Sequence, residues 1–272
     1  MPETIRAGFF QFAPRFGEVE ANLVAVLEGL SGAEAGLVVL PELPFTGYCF
    51  RDREEVMRYA EDPGSSPTLD ALESLCRARE LYLVTGFAER EGDRVYNSAL
   101  LIGPGGIVAR YRKIHLFNRE KAIFDPGYAP PEVHDVRGVR VGLMVCFDWV
   151  FPEVARIMAL RGADVLCHPT NLVLDYCQRA MLTRSLENSV YAITANRYGT
   201  EDRGDPPALT FTGASQVSAP SGEVLHRAPA DGDELFVFEL DPAIARDKWM
   251  TPGNHLLADR RPHLYGDVVK ET

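Results

Sequence analysis

The segment from Val139 to Val145 is apolar on both faces except at Arg140. A strand without alternation of polar and apolar residues is buried from both sides, which is typical of a central strand in a covered sheet. Farther along the chain, Pro152 and Glu153 form a favourable first turn of a helix. Cys146 is therefore predicted to lie at an elbow between a central strand and a helix, in an α/β layered fold.

Strand-like and helix-like segments alternate along the rest of the chain, which favours the same fold class. The segments that match strand patterns are 5–12, 37–40, 81–88, 97–102, 108–112, 139–145, 165–168, 191–196, 214–218 and 235–239. One helix is predicted to begin at Ser66 with Pro67, and two others are predicted to span 152–161 and 176–187. The similar segments 35–41 and 162–169 indicate an internal pseudo-repeat.

The length and composition of the chain favour a single domain. The chain has 272 residues, of which 46% are hydrophobic and 25% charged. A chain of this length buries a large core. The Gly/Pro segment 103–106 is of turn length and indicates a hairpin rather than a linker. We therefore expect residues 1–272 to form one domain.

Two further strand ends supply groups that complement the thiol of Cys146. Glu42 and Lys113 each follow a strand-like segment. A thiol with a pKa of about 8.5 is mostly protonated at neutral pH, so a cysteine nucleophile benefits from a base, for which Glu42 is the candidate. The tetrahedral adduct of an amide or nitrile carries negative charge that Lys113 and the backbone N–H of Phe147 are placed to stabilise. Taken singly, these residues also fit a buried core thiol and two surface charges.

Six segments extend this pattern over nearly the whole chain. They read LVVLPELPFTGY around Glu42, RYRKIHLFNREKAIFDPG around Lys113, VGLMVCFDWVFPE around Cys146, HPTN from His168, RSLENSVYAITANRYG from Arg184 and DRRPHLY from Asp259. In this order and spacing they resemble the nitrilase superfamily of carbon–nitrogen hydrolases. The resemblance implies a four-layer α-β-β-α sandwich. It also implies a homodimer or larger homo-oligomer, and we expect the C-terminal tail, about residues 250–272, in the subunit interface.

The resemblance also implies roles for individual residues. Glu42, Lys113 and Cys146 match the Glu-Lys-Cys triad of the superfamily, and Glu120 matches its second, positioning glutamate. From sequence alone, Glu120 also fits a surface loop carboxylate.

Four other residues are candidates for the surroundings of the triad. Tyr48 and Asn171 lie in segments that resemble pocket-lining parts of the superfamily, and Trp149 is a third candidate for substrate binding. Asp148 is predicted to brace the elbow through backbone hydrogen bonds rather than to act in catalysis.

One departure from the superfamily bears on the substrate. Branches that hydrolyse N-carbamoyl amino acids carry arginines three and four residues after the cysteine, where this chain has Trp149 and Val150. A substrate carboxylate would lose its partner there, unless Arg184 or Arg197 supplies a cation from elsewhere. We therefore expect an apolar pocket that prefers neutral substrates.

The predicted function is hydrolysis of a non-peptide C–N bond in a small amide, carbamoyl amine or nitrile. The reaction would pass through a cysteine thioester, or a thioimidate for nitriles, and release ammonia. One alternative is a scaffold or binding protein that keeps the fold with little or no turnover. Another is a thiol redox protein, although no second cysteine lies within twenty residues of Cys146.

Charge and cysteine content limit the partners and the compartment. The chain has 28 basic and 39 acidic residues, a net charge of −11, which disfavours nucleic acid and anionic membranes as partners. The spacing of the five cysteines does not indicate disulfide pairs, and the chain has neither a long apolar run nor a signal-peptide pattern. We therefore predict a cytoplasmic protein.

No metal or cofactor is predicted. The spacing of Cys167, His168 and Cys177 fits no closed zinc pattern. The chain also lacks the glycine-rich fingerprints that bind phosphates, flavins or nicotinamides. The expected partner is a small amide or nitrile substrate.

Overall fold

The computed structural model of the chain describes residues 4–205 and 207–270. The strands are β1 (Ile5–Gln11), β2 (Leu37–Val39), β3 (Tyr82–Glu91), β4 (Arg94–Gly103), β5 (Gly106–Arg112), β6 (Val133–Val136), β7 (Val139–Leu143), β8 (Val165–Thr170), β9 (Tyr191–Asn196), β10 (Tyr198–Glu201), β11 (Leu209–Thr212), β12 (Gln216–Ser218), β13 (Val224–Arg227), β14 (Glu234–Leu240), β15 (Trp249–Thr251) and β16 (Asn254–His255). The α-helices are α1 (Val19–Leu30), α2 (Arg53–Tyr59), α3 (Pro67–Arg79), α4 (Glu120–Ile123), α5 (Pro152–Leu160), α6 (Tyr176–Asn188) and α7 (Pro242–Arg246), and the 3-10 helices are Cys146–Val150, Pro262–Leu264 and Gly266–Val269.

Two six-stranded sheets share one pattern of strand pairing. The first has the order β14-β1-β2-β3-β4-β5, and the second has the order β13-β12-β9-β8-β7-β6. In each, three central strands are parallel, β1-β2-β3 in the first sheet and β7-β8-β9 in the second, and the outer strands pair antiparallel. The similar segments 35–41 and 162–169 contain β2 and β8, the middle strands of these two parallel sets, so the pseudo-repeat of the sequence is present in the topology.

The two sheets face each other, and helices cover their outer faces. Along β2, Leu37 and Val39 belong to an apolar cluster that also includes residues of β7, β8, α5 and α6. Val38, between them, belongs to a second cluster with residues of α1 and α3. This period of two is expected for a strand buried on both faces. The predicted four-layer α-β-β-α sandwich is confirmed.

The element boundaries differ from the sequence prediction in places. The predicted strand over 139–145 ends at Leu143. Met144 still donates to Cys167 O on β8 (3.1 Å), but Val145 donates to Asp148 Oδ2 (2.9 Å) instead of to a neighbouring strand as the chain enters the elbow. Helix α1 was not predicted, although its buried residues Asn22, Val26 and Leu30 recur every four positions.

The C-terminal tail lies mostly on the surface. Its large apolar side chains are exposed, among them Trp249, Met250, Leu264, Val268 and Val269. Residues 271 and 272 of the predicted tail segment lie outside the described residues. No helix within 4–205 or 207–270 has the length and apolar character that crossing a bilayer requires.

Candidate active site

Three strand ends bring Glu42, Lys113 and Cys146 to the same region between the sheets. Glu42 follows β2, Lys113 follows β5, and Cys146 follows β7 at the start of a 3-10 helix. All three side chains are buried. Lys113 Nζ donates to Glu42 Oε1 at 2.7 Å and contacts the carboxylate of Glu120 at 2.8 Å. The charges of Glu42, Lys113 and Glu120 also shift the pKa of the Cys146 thiol, so the four residues predicted to act in catalysis lie together.

The backbone of Glu42 is held against both sheets. Its N–H donates to Thr170 O (3.4 Å), and its carbonyl accepts from Asn171 Nδ2 (2.8 Å), so the end of β8 supports the end of β2. On the other side, a Cβ at Gly86 would lie 2.4 Å from the backbone nitrogen of Leu43 and 2.6 Å from the Cα of Glu42. Glycine is needed at position 86 because only it permits this approach of two backbones.

The carboxylate of Glu120 is buried rather than exposed in a loop. Its Oε1 accepts from Tyr48 OH at 2.6 Å and from Lys113 Nζ, and its Oε2 accepts from Phe117 N at 3.0 Å. The alternative of a surface carboxylate is wrong. Tyr48, a candidate for substrate binding, contacts Glu120 through its hydroxyl.

The elbow at Cys146 is backbone-strained and braced. Cys146 has a φ of 41°, a left-handed conformation that is uncommon outside glycine and frequent at functional sites. Asp148 accepts from Val145 N (2.9 Å) and from Tyr111 OH (2.8 Å), and its other oxygen lies 2.8 Å from His115 Nδ1. These contacts agree with the bracing role predicted for Asp148.

Burial and the neighbouring charges set the protonation states. Burial raises the pKa of the Cys146 thiol well above its usual value, and the charge of Glu42 raises it further. Burial also raises the pKa of Glu42, although Lys113 opposes that shift. For Lys113, burial alone would lower the pKa, but the carboxylates of Glu120 and Glu42 raise it above normal. The lysine is therefore a permanent cation, and the thiol is protonated at rest.

The two oxygens of the Glu42 carboxylate are bonded unequally. Glu42 Oε1 accepts from both Lys113 Nζ and Asn97 Nδ2, each at 2.7 Å. Glu42 Oε2 is buried and has no hydrogen-bond partner within the described residues. Oε2 is therefore the oxygen of Glu42 that these two donors leave unengaged.

A narrow cavity reaches Cys146. It is lined by Phe117, Cys146, Phe147, Trp149, Asn171, Leu172, Val173 and Leu174. About 30 Å³ of it is open to the centre of a water-sized sphere, enough for only a few water molecules. On the other side of Phe117, a mainly apolar cavity of about 180 Å³ is lined partly by Tyr48 and Glu120. The predicted apolar surroundings of the thiol are present, with Trp149 and Asn171 in the wall.

The two arginines suggested as alternative cations are used elsewhere. Arg184 donates to Trp149 O (3.2 Å) and Val150 O (3.4 Å) and pairs with Glu187. Arg197 pairs with Glu201, and neither arginine lines the Cys146 cavity.

Several residues near the site were missed by the sequence prediction. Asn97 contacts Glu42, while Tyr111 and His115 contact the brace Asp148. The signal for Asn97 was a polar side chain inside the apolar strand VYNSALLIG.

The buried side chain of His168 contacts the backbone of Cys146. Its Nε2 lies 2.9 Å from Cys146 O, so this nitrogen carries the proton and donates to the carbonyl. Burial lowers the pKa of His168 to about 4. In the part of the chain that the structure describes, no group of three or more His, Cys, Asp or Glu side chains could hold a metal ion.

The chain is similar to known proteins over nearly its whole length. The sequence model of the carbon–nitrogen hydrolase family matches residues 6–248. The chain is 43% identical to a nitrilase of Pyrococcus abyssi, over 96% of this chain and 99% of the relative. It is 32% identical to a citrullinase of Francisella tularensis, over 94% and 96%. A solved structure of a double mutant of the amidase from Nesterenkonia sp. AN1 in complex with acrylamide superposes with a TM-score of 0.82 at 28% identity, covering 97% of each chain.

Proposed function

This chain belongs to the carbon–nitrogen hydrolase family, and from that premise we propose that it hydrolyses small neutral amides or nitriles through a covalent intermediate on Cys146. The observation that carries the proposal is the buried cluster of Glu42, Lys113 and Glu120 beside a strained cysteine. Within it, Lys113 Nζ uses two of its three N–H groups on carboxylates, whereas Glu42 Oε2 has no hydrogen-bond partner within the described residues. A cation, a free base and a thiol are the groups that acyl transfer needs.

In the first step, Glu42 Oε2 takes the proton of the Cys146 thiol as the sulfur attacks the amide carbon. Negative charge then develops on the substrate oxygen, where Lys113 Nζ and the N–H of Phe147 stabilise it. Phe147 suits this role because the hydrogen bonds of its 3-10 helix begin one residue later, with Asp148 N donating to Val145 O. The adduct collapses when Glu42 returns the proton to the leaving nitrogen, and ammonia departs.

In the second step, the thioester is hydrolysed. Glu42, again a carboxylate, removes a proton from a water molecule that attacks the acyl carbon, and the proton then goes to the departing sulfur. A nitrile would follow the same path from a thioimidate, which takes up one more water before ammonia leaves. Lys113 keeps its charge in both steps.

The surroundings of the thiol favour a neutral substrate. The Cys146 cavity is lined by aromatic and aliphatic side chains together with Asn171. Asn171 Oδ1 is buried and unpaired within the described residues, which makes it a candidate acceptor for a substrate N–H. A carboxylate next to the scissile bond would be buried without a cation, at a cost of several kcal/mol.

The experiment is ammonia release from a panel of substrates, with Cys146→Ala as the blank. The panel contains propionamide and propionitrile, succinamate as an ω-amide, butylurea as a carbamoylated amine, and N-carbamoylalanine. We expect the neutral amide or nitrile to have the highest kcat/KM and N-carbamoylalanine the lowest, with the other two between them. A clear preference for N-carbamoylalanine would overturn the substrate class but leave the assignment of Cys146 intact.

We also propose that the chain forms one domain that assembles as a homodimer or larger homo-oligomer. Exposed apolar side chains on α5, α6 and the tail, such as Leu160, Leu186 and Leu264, support this proposal, because subunit association covers apolar surface that a single protomer leaves exposed. Sedimentation velocity would test it, with truncation after Asp247 expected to shift the protein toward monomer.

A further inference from the structure

Asn97 lies inside the catalytic cluster although it is not one of the four family residues. It is fully buried on β4. Its backbone carbonyl accepts from Lys113 N at 2.8 Å, and its side-chain Nδ2 donates to Glu42 Oε1 at 2.7 Å. One residue therefore contacts both the base and the backbone of the cation.

The position of Asn97 is set by the sheet rather than by a loop. It pairs with Ala88 on β3, and its neighbour Ser98 pairs with Arg112 on β5. Because β4 is hydrogen-bonded on both sides, the backbone of Asn97 is fixed and its short side chain has little freedom. The long side chain of Lys113 is more flexible. The flexible Lys113 side chain could move with the Glu42 carboxylate if the carboxylate changed its orientation. Asn97 Nδ2 can donate to the carboxylate from one direction only.

Two donors therefore converge on Glu42 Oε1, and none reaches Oε2 within the described residues. A carboxylate turned out of this orientation would lose the Asn97 hydrogen bond, whereas a half-turn about the Cγ–Cδ bond would only exchange two equivalent oxygens. We propose that Asn97 is a positioning residue that holds Glu42 by Oε1, so that Oε2 is the oxygen that exchanges protons with Cys146 and the substrate. This inference rests on the proposed role of Glu42 as the base.

The donor also acts on the charge of Glu42. A hydrogen bond from Asn97 favours the ionised carboxyl and lowers its pKa, in opposition to burial, which is the largest influence and raises it. Removal of the donor should therefore raise the pKa of Glu42 further. Since the reaction needs the carboxylate in the free enzyme, the acid limb of the kcat/KM profile should move to higher pH.

The test uses Asn97→Leu, which keeps the side-chain size and removes the donor, and Asn97→Asp, which replaces it with an acceptor. The matched control is Asn188→Leu. Asn188 is also fully buried, and its Nδ2 donates to Arg184 O at 2.9 Å. Within the described residues its Oδ1, like that of Asn97, has no hydrogen-bond partner, but its side chain does not bond to Glu42. Each variant is assayed for ammonia release from propionamide across pH, and its thermal unfolding is recorded.

We expect Asn97→Leu and Asn97→Asp to lower kcat/KM about tenfold or more and to move the acid limb upward by about one pH unit. Asn188→Leu should lower the melting temperature and leave the acid limb in place. If Asn97→Leu does not fold, Asn97→Asp decides. An unshifted acid limb in a folded Asn97 variant overturns the positioning role. Equal ammonia release by wild type and Cys146→Ala would instead overturn the proposed function itself.

Discussion

Two buried ion pairs lie on either side of Tyr48, and they differ in how completely their carboxylates are bonded. Glu201 pairs with Arg197 and accepts from the backbone N–H groups of Tyr48 (3.0 Å) and Cys49 (2.8 Å), so both of its oxygens are used. Glu42 pairs with Lys113 but keeps Oε2 unbonded among the described residues. The saturated pair is suited to holding the chain, and the unsaturated pair is suited to moving a proton.

The cations of the two ion pairs, Arg197 and Lys113, differ in their surroundings. Arg197 donates to Pro14 O at 2.7 Å and lies 4.2 Å from the centre of the Phe211 ring, so its guanidinium is enclosed by protein. Lys113 contacts two carboxylates, and its charge acts on the pKa of the Cys146 thiol. A planar arginine is the better residue for a fixed clamp, and a compact ammonium is suited to a site where charge develops on a substrate.

Matched substitutions of the two glutamates give the largest expected difference. Glu42→Gln should lower turnover by about 10² to 10³, comparable to the loss of an oxyanion donor, with a smaller change in stability because Lys113 keeps its second carboxylate, Glu120. Glu201→Gln should destabilise the fold by about 3 to 5 kcal/mol, since it leaves Arg197 buried without its partner. Urea unfolding and ammonia release, measured on both variants, check the contrast. Similar profiles for the two variants would contradict it.

A smaller effect is expected where the two clusters meet at Tyr48. Tyr48→Phe removes the hydroxyl that donates to Glu120 at 2.6 Å, while the backbone bond to Glu201 remains. Loss of a hydrogen bond to a charged group should lower kcat/KM about tenfold. The control is Tyr198→Phe, which removes a surface bond to Asp233 and should leave kinetics unchanged. Wild-type kinetics for Tyr48→Phe would mean that Glu120 is held well enough by Lys113 and Phe117.

The smallest expected effect is on the pH dependence of stability, through His168 next to the Cys146 elbow. The folded-state pKa of His168, about 4, lies below the unfolded value of about 6.5. Between these values the unfolded chain binds a proton that the folded chain does not, so stability falls as pH decreases. From pH 7 to pH 5.5 this group should contribute a loss of about 1 kcal/mol. His168→Gln should remove that part of the slope in urea unfolding, and an unchanged slope would show that the histidine does not titrate in this way.

Part of this site was predictable because its groups stand at strand ends. Cys146, Glu42 and Lys113 each follow an apolar or strand-like segment, and Gly/Pro punctuation marks where the chain turns. The match to known motifs then added Glu120 and the four-layer fold. Neither the order of the strands nor the facing of the sheets is encoded in periodicity.

The parts that were not predicted depend on distant pairing. Asn97 meets Glu42 only because β4 lies beside β3 and β3 beside β2. The contact of Tyr48 with Glu120 joins residues far apart in sequence. Arg184 and Arg197 were suggested as pocket cations by charge alone, and their pairing with Glu187 and Glu201 became visible only in the folded chain.

The most direct test of the central claim is ammonia release by folded Cys146→Ala protein, measured beside Cys177→Ala. Both thiols are buried and free, but Cys177 belongs to helix α6 and not to the strand ends that carry Glu42, Lys113 and Cys146. The account predicts no turnover for Cys146→Ala, with a native circular dichroism spectrum, and turnover close to wild type for Cys177→Ala. Turnover by folded Cys146→Ala at a rate near that of the wild type would contradict the assignment of Cys146 as the nucleophile.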